Sequence, residues 1–176
     1  MTSRVRLYVA TSIDGFIADA DGGVDWLEPY QPASYGYREF MQEVGAVVIG
    51  RRTFEQIVTF GDRWPYAEKR TIIVASQSLR ALPPNGTAVS GGIAAAVKAA
   101  RDQSSRDVWV VGGAVTMRSA IDAGLVDLID IFIVPVLLGR GIPLLGSLHV
   151  PRTLDLDGIT TFQDGVVKLR YNVATK

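Results

Sequence analysis

Three short segments of this chain attach small, polar or cationic residues directly to the end of an apolar run. They are Ile49-Gly50-Arg51-Arg52-Thr53, Ala75-Ser76-Gln77 and Val111-Gly112-Gly113-Ala114-Val115. Each pattern suits the binding of an anion. A glycine lets the backbone come close to a ligand, and a helix that starts there offers unpaired N–H groups to a phosphate. An arginine such as Arg51 adds a two-pronged charged contact, and Ser76 with Gln77 would set a hydroxyl and an amide beside it if their strands are neighbours. Gly112 and Gly113 lack the three-glycine spacing of the dinucleotide fingerprint. Taken alone, each segment also suits an ordinary turn or simple helix–sheet packing, Ala75-Ser76-Gln77 more often so; taken together, the three point to a phosphate-bearing ligand. On the substrate side, Asp14, Asp25 and Tyr35 are the candidates for catalysis, with Tyr37 and Glu39 as further lining groups, although each also suits a loop or a helix surface. His149 is the sole histidine and stands in a loop beside Pro151. No pair of histidines or carboxylates has metal-ligand spacing, so no metal is expected.

These segments need elements to carry them. Val5 to Ala10 reads as a strand opening into a long loop, Thr11 to Gly23. Loops of that length are usually functional or mobile. Ser34 to Val44 places Tyr37, Phe40, Met41 and Val44 on one helical face, with Gly45 to end it. Ala46 to Ile49, Thr71 to Ala75 and Val108 to Val111 are continuous apolar runs, the mark of strands buried on both faces. Helices are predicted to start at Arg51, over Ile93 to Arg101 and over Ala114 to Ala123. Leu128 to Val136 is a fourth buried strand, Leu137 to Pro151 a long loop, and two last strands flank Gln163-Asp164-Gly165. Strands alternating with helices give an α/β fold of three layers, a mostly parallel central sheet with an antiparallel C-terminal edge. In such sheets ligands bind beyond the carboxyl ends of the strands, where the three segments fall.

Composition sets the outer limits. A chain of 176 residues, 48% of them hydrophobic, suits one domain over residues 1–176 with a sizeable core. Eighteen basic and 18 acidic residues balance, and without a basic run no nucleic-acid groove is expected. There is no cysteine, so nothing calls for an oxidising compartment. The longest apolar run, Ile129 to Leu138, is broken by Asp130 and Pro135 and falls far short of the ~20 residues of a spanning helix. Met1-Thr2-Ser3-Arg4 leads into a strand rather than a signal core. A cytoplasmic protein without a membrane partner is the expectation.

The order and spacing of these segments carry a resemblance. Tyr8-Val9-Ala10, Ile13 to Ala18, Trp26, Val48 to Glu55, Ile72 to Gln77 and Val110 to Gly113 together resemble the dihydrofolate reductase superfamily. Pro135 to Leu144 looks more like the branch that holds the C-terminal reductase domain of the riboflavin biosynthesis deaminase-reductase. The resemblance implies a dihydrofolate reductase-like fold and NADPH as cofactor. It implies contacts from Ala10 and Ile17 to the nicotinamide end, and from Gly50, Arg51, Arg52 and Thr53 to the phosphates. Ala75, Ser76 and Gln77 follow the next strand, with Arg51 and Ser76 near the 2′-phosphate. Val111, Gly112, Gly113, Ala114 and Val115 would hold the pyrophosphate, and the loop after the first strand would close over the nicotinamide. The implied reaction is hydride transfer to a small heterocycle. The favoured substrate is a 5-amino-6-(5-phosphoribosylamino)uracil-type intermediate of the riboflavin pathway; the alternatives are a dihydrofolate or pterin substrate, or NADPH binding without catalysis. Where folate reductases carry an acid on the first helix, this chain has the region of Ser34, Tyr35, Gly36 and Tyr37. A homodimer is also implied, with Ile131 to Leu138 contributing surface.

Overall fold

The computed structural model of the protein describes residues 3–61 and 63–174. In chain order the elements are β1 (Val5–Ser12), β2 (Phe16–Ala18), α1 (Tyr37–Glu43), β3 (Val44–Gly50), α2 (Arg51–Thr59), β4 (Arg70–Val74) and β5 (Gly86–Val89). They continue with α3 (Gly92–Gln103), β6 (Asp107–Gly112), α4 (Ala114–Asp122), β7 (Leu128–Val134), β8 (Ile142–Pro143), β9 (Leu154–Thr161) and β10 (Val167–Val173). Short 3-10 turns at Asp25–Leu27 and Pro32–Tyr35 precede α1. No helix of the described residues is long and apolar enough to cross a membrane.

Eight strands form one sheet in the order β5-β4-β3-β6-β1-β7-β10-β9. From β5 to β7 all neighbours are parallel, and β10 and β9 add the antiparallel edge. The apolar runs fall at the centre because helices cover both faces and leave no wet side for a polar alternation. One core gathers Val5, Leu7, Val48, Ile72, Val97 and Met117 around α3 and α4. The other packs Phe40, Val47, Ile49, Phe54 and Trp109 around α1 and α2. Alternation along β1 explains the division, since Val5 and Leu7 serve the first face while Arg6 and Tyr8 turn to the second.

Arg6 and Asp130 are buried charges at the middle of that second face. Asp130 accepts from Arg6 Nη2 at 3.1 Å, Arg170 Nε at 2.8 Å and Lys168 Nζ at 3.2 Å. Arg6 also pairs with Asp107 at 3.3 Å and with Glu43, and its guanidinium lies 4.8 Å from the centre of the Phe40 ring. Burial without partners would neutralise or expel such groups; here each carboxylate and cation faces an opposite charge.

Several boundaries differ from the sequence expectation. The helix expected over Ser34 to Val44 is a 3-10 turn followed by α1, and Val44 already opens β3. Gly45 lies inside that strand, where a side chain would collide with Ser104 and Arg106, so close packing selects the glycine. The long loop after β1 contains β2, which pairs antiparallel with β8 from the other long loop. β5, unexpected from the sequence, forms the far edge of the sheet. The stretch Ile131 to Leu138 has Ile131 to Val134 inside β7, between β1 and β10. Its large exposed apolar side chain is Leu137.

Candidate active site

β3 and β6 lie side by side, and each runs directly into a helix. From β3 the chain moves outward to β4, and from β6 it moves the other way to β7, so right-handed crossovers put α2 and α4 on opposite faces. The crevice between two such helix starts is the switch point at which open α/β sheets take ligands. Neither α2 nor α4 has a side-chain cap, which leaves first-turn N–H groups without partners in the helix. The two starts touch. A Cβ on Gly50 would overlap Thr116 Oγ1 of α4, and one on Gly113 would stand 2.9 Å from Thr53 Oγ1 of α2. Gly50, Thr53 and Gly113 thus meet at one place, and the arrangement can hold an extended polyanion between two positive helix ends.

The other residues named for this ligand gather unevenly around it. Arg51 donates from Nε to Glu55 at 2.8 Å and from Nη1 to Gln77 at 3.3 Å, so the β3 and β4 strand ends are joined as neighbours. Ser76 is exposed beside Gln77, and Ala75 is buried beneath them. Arg52 is exposed on α2 and Val115 on α4. Val111 packs into the core with Trp109. Ile17 lies in β2 and packs against the opposite core.

Next to this crevice, on the α1 side of the sheet, is a cleft of about 380 Å³. Tyr8 and Ala10 of β1, Trp109 of β6 and Phe132 of β7 belong to its wall, and Tyr35 of the preceding 3-10 turn and Tyr37 at the start of α1 close it. Among the described residues no Asp, Glu, Lys, Arg or His belongs to that wall, and Lys168 Nζ lies 5.8 Å from the centre of the Tyr8 ring and 5.4 Å from that of Phe132. Tyr8 and Phe132 sit 4.6 Å apart between ring centres, and Trp109 meets Phe40 edge-on at 5.1 Å. Trp109 Nε1 is buried without a hydrogen-bond partner among the described residues. Burial pushes the Tyr8, Tyr37 and Tyr66 hydroxyls up from the ordinary phenol range, so the wall stays uncharged at neutral pH. The cleft continues past Tyr37 and Tyr66 into an open groove of about 670 Å³ bordered by Arg38, Lys69 and Arg106. Such walls suit a flat, neutral ring with a charged appendage directed outward.

Of the three catalytic candidates, only Tyr35 belongs to the cleft wall. Its hydroxyl donates to Asp164, and burial followed by that bond pushes it up to about 12. Asp14 stands apart as a tie between loops. It accepts from Ser12 Oγ at 2.6 Å and from the backbone N–H of Leu138 at 3.2 Å and of Gly139 at 2.6 Å. The Ser12 hydroxyl first, and the two backbone donors after opposing desolvation, hold its carboxyl below the usual carboxylate range. Asp14 is therefore ionised and fully engaged near neutrality, with no proton to give. Asp25 is exposed in the first 3-10 turn and Glu39 is exposed on α1. His149 is exposed and bound to Asp122 at 2.8 Å, beyond the end of α4. Trp26 packs with Tyr35 and Phe132 behind the cleft. The sequence reading missed Tyr8, Tyr66, Trp109 and Phe132 because single aromatics in apolar runs look like core. It missed Asp164 because a turn residue carries no pattern.

Comparison with known proteins gives one consistent answer. Residues 3–168 match the model of the RibD C-terminal domain. The uncharacterized protein YwjB of Bacillus subtilis (strain 168) is 30% identical over 97% of this chain and 98% of its own length. A Shewanella sp. PV-4 structure named for riboflavin biosynthesis superposes with a TM-score of 0.86 at 25% identity, covering 98% of this chain and 99% of that one. The Thermotoga maritima diaminohydroxyphosphoribosylaminopyrimidine deaminase/5-amino-6-(5-phosphoribosylamino)uracil reductase gives 0.75 at 18% identity, over 98% of this chain and 57% of that longer one. Enterococcus faecalis dihydrofolate reductase, solved with NADP(H), shares the fold at a TM-score of 0.66 and 15% identity, over 98% of this chain and 97% of that one. The fold is that of dihydrofolate reductase, and the chain belongs to the RibD C-terminal domain family.

Proposed function

We propose that this chain is an NADPH-dependent reductase acting on a small planar heterocycle, with a 5-amino-6-(5-phosphoribosylamino)uracil-type pyrimidine of the riboflavin pathway as its substrate and a pterin as the runner-up. The observation that carries the reading is the pair of uncapped helix starts of α2 and α4 beside an aromatic cleft. Bound NADPH supplies the hydride. The chain's own part is to bind and orient. The N–H groups that open α2 and α4 take phosphate oxygens, and Arg51 with Ser76 and Gln77 takes the 2′-phosphate. Ala10, in the cleft wall, leaves room for a ring to lie against β1. The aromatic walls stack the substrate and exclude water, which strengthens the remaining polar contacts.

The pyrimidine is favoured over the pterin by two observations. The groove bordered by Arg38, Lys69 and Arg106, with Glu68 among them, has an excess of positive charge for a phosphate attached to the ring, and the Thermotoga neighbour carries that reaction in its name. The lack of an acid in the wall favours one other reading, NADPH binding without turnover, which predicts no NADPH consumption with any of a panel of pyrimidines and pterins. Calorimetric titration with NADPH and NADH tests the cofactor. Expected is micromolar NADPH binding with NADH at least ~10-fold weaker, about 1.4 kcal/mol, and Arg51→Ala removing most of that preference. No binding of either nucleotide sinks the reductase.

A further inference from the structure

The cleft wall contains one side chain whose polar group is tied to a full charge. Tyr35 is 8% exposed and its hydroxyl donates to Asp164, which reaches it from the turn between β9 and β10. A phenol has one proton. With that proton committed to the carboxylate, only the lone pairs of the hydroxyl oxygen are left for anything else that approaches it. A hydrogen bond to an ionised acceptor draws electron density onto the phenol oxygen and makes it a better acceptor than an ordinary tyrosine.

Both partners are held in place. Tyr8 Oη donates to the Tyr35 carbonyl at 3.1 Å, and the Tyr35 ring stands edge-on to Phe162 at 4.9 Å between centres. Asp164 accepts from Val166 N at 3.3 Å, in a turn closed by Phe162 N to Val166 O at 2.9 Å and Gly165 N to Phe162 O at 3.1 Å. Gly165 has φ +86° there, a conformation that favours glycine. The acceptor is therefore set before any ligand arrives.

We propose that Tyr35, oriented and polarised by Asp164, is the acceptor that fixes a ring N–H of the substrate, so that the cleft selects neutral planar heterocycles bearing such a group over equally flat rings without one. Tyr35 touches the substrate and Asp164 is a positioning residue that acts through it. The inference rests on the reductase reading for the name of substrate, and on the geometry of the cleft alone for the recognition. In this role the hydroxyl holds a substrate proton in place and delivers none.

Lumazine, a neutral bicyclic dione with two ring N–H groups, and 1,3-dimethyllumazine, the same ring with none, are the probes. Their binding is measured by calorimetry on the full chain and on Tyr35→Phe, which keeps the ring and removes the oxygen, and on Asp164→Asn, which keeps a polar partner and removes the charge. Expected is a ~10-fold loss of lumazine affinity in Tyr35→Phe and a smaller loss in Asp164→Asn, with dimethyllumazine unaffected by either. In protein labelled with carbon-13 at the tyrosine ζ carbon, lumazine should move the Tyr35 resonance in the wild type and move it less in Asp164→Asn, a response that a purely structural role for Asp164 would not give. Unchanged lumazine affinity in Tyr35→Phe, an equal loss for both ligands, or no lumazine binding to the wild type overturns the proposal. NADPH titration of the same proteins separates the two readings, since lumazine recognition without NADPH binding refutes the reductase and leaves the Tyr35–Asp164 acceptor standing.

Discussion

Gly50→Ala tests the crevice between α2 and α4 most directly. Gly50 has φ −70° and ψ 148°, ordinary extended backbone, so alanine brings no conformational strain and the whole effect is steric. The added methyl would fall well inside contact distance of Thr116 Oγ1, while its next neighbours, Gly112 O at 3.4 Å and Gly113 N at 3.6 Å, are at normal spacing. Relief requires β3 and α4 to move apart or Thr116 to leave its rotamer, and overpacking of this kind costs about 1–3 kcal/mol. At about 2–4 °C per kcal/mol for a chain of this size, the midpoint of thermal unfolding should fall by roughly 2–12 °C. Thr116→Ala removes the single offending atom, so the double variant should recover most of the loss, a coupling of the same 1–3 kcal/mol range with opposite sign. Urea unfolding of the four proteins measures the cycle. Strict additivity, or a Gly50→Ala protein as stable as the wild type, would show that β3 and α4 do not meet as described and would remove the structural basis of the phosphate site.

Two other perturbations address separate parts of the molecule. Asp130→Asn leaves Arg6, Lys168 and Arg170 around a neutral side chain, and breaking a buried ion pair of this kind should cost about 3–5 kcal/mol in urea unfolding; a loss under 1 kcal/mol would mean that the cations find water or other partners. Burial raises the Asp130 carboxyl, but the Arg170 hydrogen bond and the Lys168 and Arg170 charges outweigh it and hold the group below its ordinary value. Its contribution is therefore complete above the unfolded value of about 3.9 and is lost as pH falls through the lower folded value, a slope that Asp130→Asn should lack in acid titrations of stability. Asp14→Ala removes the acceptor of the Leu138 and Gly139 amides; both should exchange with deuterium faster while the amides of β3 are unaffected, and unchanged protection would show that these loops are fastened by something else.

The parts of the molecule legible in the sequence are those whose signal is local. Val47-Val48-Ile49 can be buried on both faces only in a central strand, and Gly50 or Gly113 at the junction with a helix reports a close approach that no side chain would tolerate. The short strands β2, β5 and β8 were hidden because two to four residues cannot display a period, and they exist through partners elsewhere in the chain. Val44 satisfied the helical spacing of Tyr37 and Phe40 and the alternation of β3 alike, and burial against the sheet decided for the strand. The cleft was the least legible part. Tyr8, Trp109, Phe132 and Tyr35 come from four places and share a wall only because β6, β1 and β7 are adjacent in the sheet. Asp164 lies 129 residues from the hydroxyl that it binds.

The tie made by Asp14 reaches further than its own loop. Ile13 N bonds to Val136 O, Leu144 N to Gly15 O, and β2 pairs with β8, so the first part of the connection after β1 (13–18) and that of the connection after β7 (136–144) are stitched together. Neither can gain or lose a residue without throwing the other out of step. Across descendants of this gene, insertions and deletions in the two connections should arrive together or not at all, and transplanting one loop from a relative should fail unless its counterpart, more than a hundred residues away, travels with it.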